Sequence, residues 1–286
     1  MKNCIEISGL CKKYDGFALD SIDLTLPGGT ILGLIGENGA VKTTTIKCIL
    51  NLVRRDAGEI RLLGRDNIRE EVQARQEVGV VLDECFFHDT LKADDLNRIL
   101  APVYRNWDSA LFRDYLDKFS LPEKKLIKEY SRGMKMKLSL AAALAHRPKL
   151  LILDEATSGL DPVVRDEILD EFQGFVCDEE HAILISSHIT SDLEKVADYI
   201  TYIHRGRVQL TGAKDDILEN YGRVACTARQ LEELQPGELI RVRRGTYGCE
   251  GLTTQRQAFA RRHPELTVDR ITLEDIMLFI GKGDVR

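Results

Sequence analysis

Residues 30–44 constrain the fold of this chain more than any other stretch. Thr30–Ile35 is an apolar run of strand length set off by the turn signal Pro27-Gly28-Gly29. It leads into a glycine-bearing loop, Gly36-Glu37-Asn38-Gly39-Ala40-Val41-Lys42-Thr43-Thr44, and from Lys42 to Leu52 the sequence is compatible with a helix. Strand, loop and helix in that order put a helix N-terminus, with its unpaired N–H groups, where an anion can sit. The loop nearly matches the pattern G-x-x-x-x-G-K-S/T. In that pattern backbone N–H groups line phosphates, the lysine reaches the β and γ groups, and the following hydroxyl coordinates Mg2+. These roles fall to Lys42 and Thr43. The departure is Val41, which stands where the pattern has its second glycine. If the backbone needs positive φ there, a β-branched residue is strained and its side chain crowds the phosphates, so Val41 is expected to weaken binding.

The rest of the first two thirds alternates strands and helices. Residues 4–8 and 22–26 read as short strands near a turn at Lys12–Gly16. Residues 78–82 (VGVVL), Leu150–Leu153 and Ala182–Ile185 read as further apolar strands, the last two running into Asp154-Glu155 and Ser186-Ser187-His188. Polar residues at one end of parallel strands mark the ligand edge of an open α/β sheet. Between strands, Leu96, Ile99, Leu100 and Val103 are spaced for one helix face. Pro162 opens a helix with apolar positions at Val164, Ile168, Leu169 and Phe172. After Tyr221 the pattern changes, with strands at Glu238–Arg243 and Leu266–Ile271 and helices near Gln255–Arg262 and Leu273–Ile280.

Composition excludes several classes. The chain has 286 residues, 43% hydrophobic and 30% charged, enough for a sizeable core, and its net charge of −6 argues against non-specific nucleic-acid binding. The longest apolar stretch, around Leu138–Ala145, falls short of the roughly 18 residues of a membrane span. The polar N-terminus MKNCIEISGL does not read as a secretory signal. Seven cysteines without a C-x-x-C pair fit reduced thiols better than disulfides or zinc.

Four further motifs follow the loop in the order and spacing of the ABC ATPase family, which residues 1–221 resemble. Leu150-Leu151-Ile152-Leu153-Asp154-Glu155 matches its Walker B pattern. Tyr130-Ser131-Arg132-Gly133-Met134-Lys135 resembles its signature, with Arg132 and Met134 in place of a glycine and the glutamine. Ser158-Gly159-Leu160-Asp161 resembles its D-loop, and His188 its switch histidine. The resemblance implies that Tyr14 stacks on adenine and that Gly36–Thr44 cradle the phosphates. It implies that Ser131 and Gly133 reach the γ-phosphate on a second subunit. Asp154 and Thr43 then serve Mg2+, Glu155 polarises the attacking water, and His188 bonds the γ-phosphate. Where the family carries a glutamine that senses Mg2+ and the water, this chain has Asp83, which cannot donate a hydrogen bond when ionised.

The implied fold is α/β, a P-loop NTPase of the ABC type with an antiparallel β subdomain and a helical subdomain at about 84–140. A small C-terminal α+β domain follows at 222–286, and its segment Thr272–Met277 resembles the ends of antibiotic-resistance or bacitracin-type exporter subunits. The implied function is an ATP-hydrolysing subunit, in a homodimer or heterodimer of nucleotide-binding subunits. It would power transmembrane permease subunits from the inner face of the membrane, with ATP and Mg2+ as cofactors and no nucleic acid. Two alternatives stand beside it: a soluble ABC ATPase, and a regulatory subunit whose hydrolysis Val41 has weakened. Cys85-Phe86-Phe87-His88, just beyond Asp83, reads either as a groove for a permease helix or as core packing.

Overall fold

The computed structural model describes residues 2–36, 40–246 and 248–285, so Glu37, Asn38 and Gly39 of the glycine loop lie outside it. The chain divides into two compact units, residues 1–197 with 203–208, and residues 198–202 with 209–286. Each is described by itself.

In the first unit, parallel strands lie in the order Thr30–Gly36, Ala182–Ser186, Leu150–Asp154 and Val78–Val81. All residues of Leu150–Asp154 and Ala182–Ser186 are buried, as expected of strands covered on both faces, so their apolar runs show no alternation. Register sets Asp154 beside Ser186 and Ser186 beside Leu34, so the polar ends of neighbouring strands meet at one edge.

A second, antiparallel sheet has the order Phe17–Pro27, Asn3–Tyr14, Ala57–Leu62, Arg65–Asp66. The short strands expected at 4–8 and 22–26 are thus the middles of a long hairpin that turns at Asp15-Gly16. Helices Ala93–Leu100, Ser109–Lys118 and Arg132–Leu144 fill the segment between Val78–Val81 and Leu150–Asp154. Asp108 and Ser131 cap the second and third by accepting from backbone N–H groups. The expected apolar stripe on the first helix is only partly inward. Leu96 is buried, whereas Ile99 is 48% and Val103 55% exposed, because the helix ends at Leu100 and its inward face falls on Ala93, Leu96 and Asn97.

The second unit carries a five-stranded antiparallel sheet, ordered Thr267–Asp269, Gly222–Cys226, Gly248–Thr253, Arg241–Gly245, Asp284–Val285. Its core includes Val224, Leu231, Leu239, Val242 and Phe259. The strand expected at Glu238–Arg243 starts later, since Gln235 N–H donates to Glu238 in a turn before it. The one expected at Leu266–Ile271 shortens to Thr267–Asp269. Among the described residues no helix is long and apolar enough to cross a membrane.

Candidate active site

The helix after the glycine loop runs from Ala40 to Ile49, so Val41 stands in its first turn rather than in the loop. Among the described residues seven non-glycine residues have positive φ, and Val41 is not one of them. Its side chain is 5% exposed and turned into the protein, its Cγ1 3.7 Å from where a β-carbon on Gly36 would stand. Of the two grounds for expecting weak binding, strain at Val41 is therefore absent: the helix begins early enough to give a β-branched residue ordinary backbone angles.

Lys42, 1% exposed, is held by two acceptors. Its Nζ donates to the Gly36 carbonyl at 3.1 Å and pairs with Glu155 Oε1 at 3.1 Å. A buried ammonium is stable only with such partners. One turn position on, Thr43 Oγ1 donates to Asp154 Oδ2 at 3.0 Å, while Thr44 is buried in the same helix. The carboxylate's other oxygen, Oδ1, accepts from Ser186 Oγ at 2.5 Å.

Glu155 has a left-handed backbone, φ 53°, a conformation that needs support from its surroundings in a side-chain-bearing residue. Ser186 supplies it: the Glu155 N–H donates to both the Ser186 carbonyl and its hydroxyl at 3.1 Å. The turn aims Glu155 so that Oε1 meets Lys42 while Oε2 meets His188, at 2.5 Å from Nδ1 and 3.3 Å from the His188 N–H. Residues more than 100 positions apart thus form one network at the ends of three parallel strands.

Other expected site residues lie elsewhere. Ser131 caps its helix through Met134 N–H, and Gly133 beside it would tolerate a β-carbon, which would meet Val164 at 3.5 Å. Among the described residues outside its own helix, no backbone or side-chain atom comes closer to that position. Arg132 lies over Gly159, where φ is +67° and a β-carbon would stand 2.6 Å from the guanidinium. Tyr14 is exposed at the hairpin, stacked on Phe17 with Lys12 over its ring. Asp83 is exposed after Val78–Val81. Phe86 is 71% exposed and Phe87 half-buried, and both line a cavity of about 230 Å³ with Leu100, Tyr104 and His146, so core packing does not account for Phe86.

Sequence reasoning assigned nothing to Ser186. A serine at a strand end was visible; the register that puts it beside Asp154 was not.

Chemically, the edge offers an ammonium, two hydroxyls, two carboxylates and an imidazole. Thr43 and Asp154 present oxygen donors alone, the set suited to a hard cation that keeps several waters and phosphate oxygens. No group of three His, Cys, Asp or Glu gathers to cage a metal among the described residues.

The family described as ABC transporter matches residues 19–158. The bacitracin transport ATP-binding protein BcrA of Bacillus licheniformis is 32% identical over 73% of this chain and 69% of its own length. The lantibiotic transport ATP-binding protein SrtF of Streptococcus pyogenes is 34% identical over 72% and 89%. The daunorubicin/doxorubicin resistance ATP-binding protein DrrA of Streptomyces peucetius is 33% identical over 76% and 68%. A solved ATP-binding subunit of an ABC transporter superposes with a TM-score of 0.70 at 26% identity, covering 76% of this chain and 92% of that one. With this fold and these relatives, the chain belongs to the ABC transporter family, as one of its ATP-binding, ATP-hydrolysing subunits.

Proposed function

We propose that ATP is bound and hydrolysed at the edge formed by Lys42, Thr43, Asp154, Glu155, Ser186 and His188. The observation that carries this is Glu155, held by Ser186 in a left-handed turn between Lys42 and His188. Lys42 neutralises the β and γ phosphates, exchanging its pairing with Glu155 for theirs. Glu155 accepts the proton of the attacking water, and His188 orients that carboxylate and donates to the γ-phosphate. Thr43 and Asp154 hold Mg2+, which supplies charge neutralisation on the phosphates when bound. Gly36, the loop Glu37-Asn38-Gly39-Ala40, Val41 and Thr44 complete the phosphate cradle, Tyr14 meets the adenine, and Asp83 contributes to metal sensing.

A second nucleotide-binding subunit places Ser131 and Gly133 against this ATP. The exposed Ser131 and the unobstructed Gly133 suit such a contact. The subunit works on the inner face of the membrane, with a permease segment entering the cavity at Phe86 and Phe87. Residues 222–286 act as an accessory domain. The helical backbone and buried side chain of Val41 favour this reading over a non-hydrolysing one.

The test is Glu155→Gln with ATP and Mg2+. Binding should persist, turnover should stop, and a nucleotide-dependent dimer should accumulate in size-exclusion chromatography. Wild-type turnover in this variant would refute the assignment. Alanine at both Phe86 and Phe87 should reduce permease-coupled transport; intact assembly and transport would remove the groove.

A further inference from the structure

Two loops carry the proposed reacting groups: residues 155–161, which begin with Glu155, and residues 186–192, which contain His188. They meet at one end through Ser186, Glu155 and His188. At the other end stands a charge pair that falls outside the motifs described above. Arg165, in the first turn of helix Pro162–Phe175, donates from Nη2 to the Leu160 carbonyl at 3.3 Å. Its Nη1 lies 3.7 Å from Asp192 Oδ1.

Asp192 is 5% exposed and belongs to helix Thr190–Val196, with its N–H donating to the Ile189 carbonyl just after His188. Arg165 Nε and Asp192 Oδ2 are both buried without a hydrogen-bond partner among the described residues, as is Thr157 Oγ1 within the first loop. A fold gains little net stability from an ion pair that is 3.7 Å apart and partly open to solvent on the Arg165 side, since screening weakens the attraction and the desolvation of Asp192 offsets much of the rest. Packing the same helices does not need it either, because Lys195 already bridges them on the surface through Asp166 and Asp170.

We propose that Arg165 and Asp192 are positioning residues: a clamp between the half-buried Arg165 and the buried Asp192 ties the turn after Glu155 to the segment after His188 and so holds His188 against Glu155. The fork of one guanidinium spans both loops, a geometry a lysine cannot reproduce. This rests on the reading of Glu155 and His188 as reacting groups.

The experiment compares the full-length chain with the double variant Arg165→Met/Asp192→Leu, which leaves no unpaired buried charge, and with Arg165→Lys and Lys195→Met. Amide hydrogen exchange is read without nucleotide, and ATP affinity and turnover are read separately. In the double variant and in Arg165→Lys, the amides of His188 and Ile189, bonded to Glu155 and Ser187 in the wild type, should exchange about tenfold faster or more. Those of Leu184 and Ile185 should be unchanged. Turnover should fall about tenfold with ATP affinity within about twofold, and Lys195→Met should match the wild type.

Faster exchange spread equally over the strand would overturn the proposal in favour of a purely structural pair. So would unchanged exchange at His188 and Ile189. If the double variant does not fold, Arg165→Lys decides by the same criteria. A wild-type chain without turnover would refute the reading of the reacting groups, while the exchange measurement would still decide whether the clamp holds the loop.

Discussion

The parallel strands Leu150–Asp154 and Ala182–Ser186 of the first unit are buried throughout, while the antiparallel sheet of the second carries charged, partly exposed strands such as Arg241–Gly245, yet it is the first that gathers reactive groups. Parallel strands all finish at the same edge, so the residues that follow Gly36, Asp154 and Ser186 converge. In the antiparallel sheet Gly222–Cys226 and Gly248–Thr253 run in opposite senses, and their polar ends separate. Its ionisable groups pair locally instead: Glu238 accepts from Arg262 and His263 at 2.7 and 3.0 Å. Chemistry here follows strand direction, not the supply of charged residues.

The sharpest way to break this contrast is to exchange one carboxylate in each unit. Glu155→Gln should lower ATP turnover by about 10²–10⁴-fold, the usual contribution of a positioned base. Glu238→Gln should change turnover by less than about twofold; a large effect would mean the second unit takes part in the chemistry.

Next in size is Ser186→Ala, which removes the donor to Asp154 and one acceptor for the Glu155 N–H. Hydrogen bonds to charged groups are worth about 1.5–3 kcal/mol, so turnover should fall about 10–100-fold. The Mg2+ concentration for half-maximal rate should rise, and unchanged Mg2+ dependence would show that Ser186 does not set Asp154.

Val41→Gly tests the helical placement. Removing a buried side chain and adding backbone freedom should lower stability by about 1–3 kcal/mol in thermal or urea unfolding. ATP affinity should stay within about threefold. A much tighter glycine form would restore the idea that Val41 obstructs the phosphates.

The smallest effects concern pH and separate the two units. His146 stacks on Tyr104 at 4.0 Å, donates from Nε2 to the Val78 carbonyl at 3.3 Å, and burial pushes its pKa down. A base with a depressed folded value favours the fold while neutral, so this stability is present above about pH 6.5 and declines as the pH falls below it. His146→Gln should flatten the decline in melting temperature between about pH 7 and 5. Glu238 is held below its usual range, chiefly by the hydrogen bond from His263. Its contribution is present above the unfolded value near 4.3 and is lost as the pH falls through the lower folded value, so Glu238→Gln should matter above about pH 4.5 and shift melting by only a degree or two.

Much of the site was legible because its residues sit at motif spacings. Lys42 and Thr43 follow a glycine loop, Asp154-Glu155 closes an apolar run, and His188 closes another. Their backbone settings were less legible. Val41 could be judged only once its helix was seen to start at Ala40, and Ile99 and Val103 matched a helical stripe that ends before it can bury them. Ser186, Arg165 and Asp192 carried no local signal, since serine, arginine and aspartate at element ends are ordinary on solvated surfaces.

The sequence alone determined the order of strands and helices, the ligand edge and the residue types that reach it, because apolar period and motif spacing are local properties of the chain. Strand register, the left-handed turn at Glu155 and the depth at which Arg165 meets Asp192 were decided only by the tertiary structure. Each depends on which distant segment lies alongside, and a hydrogen bond between residues 154 and 186 has no counterpart in either segment taken by itself.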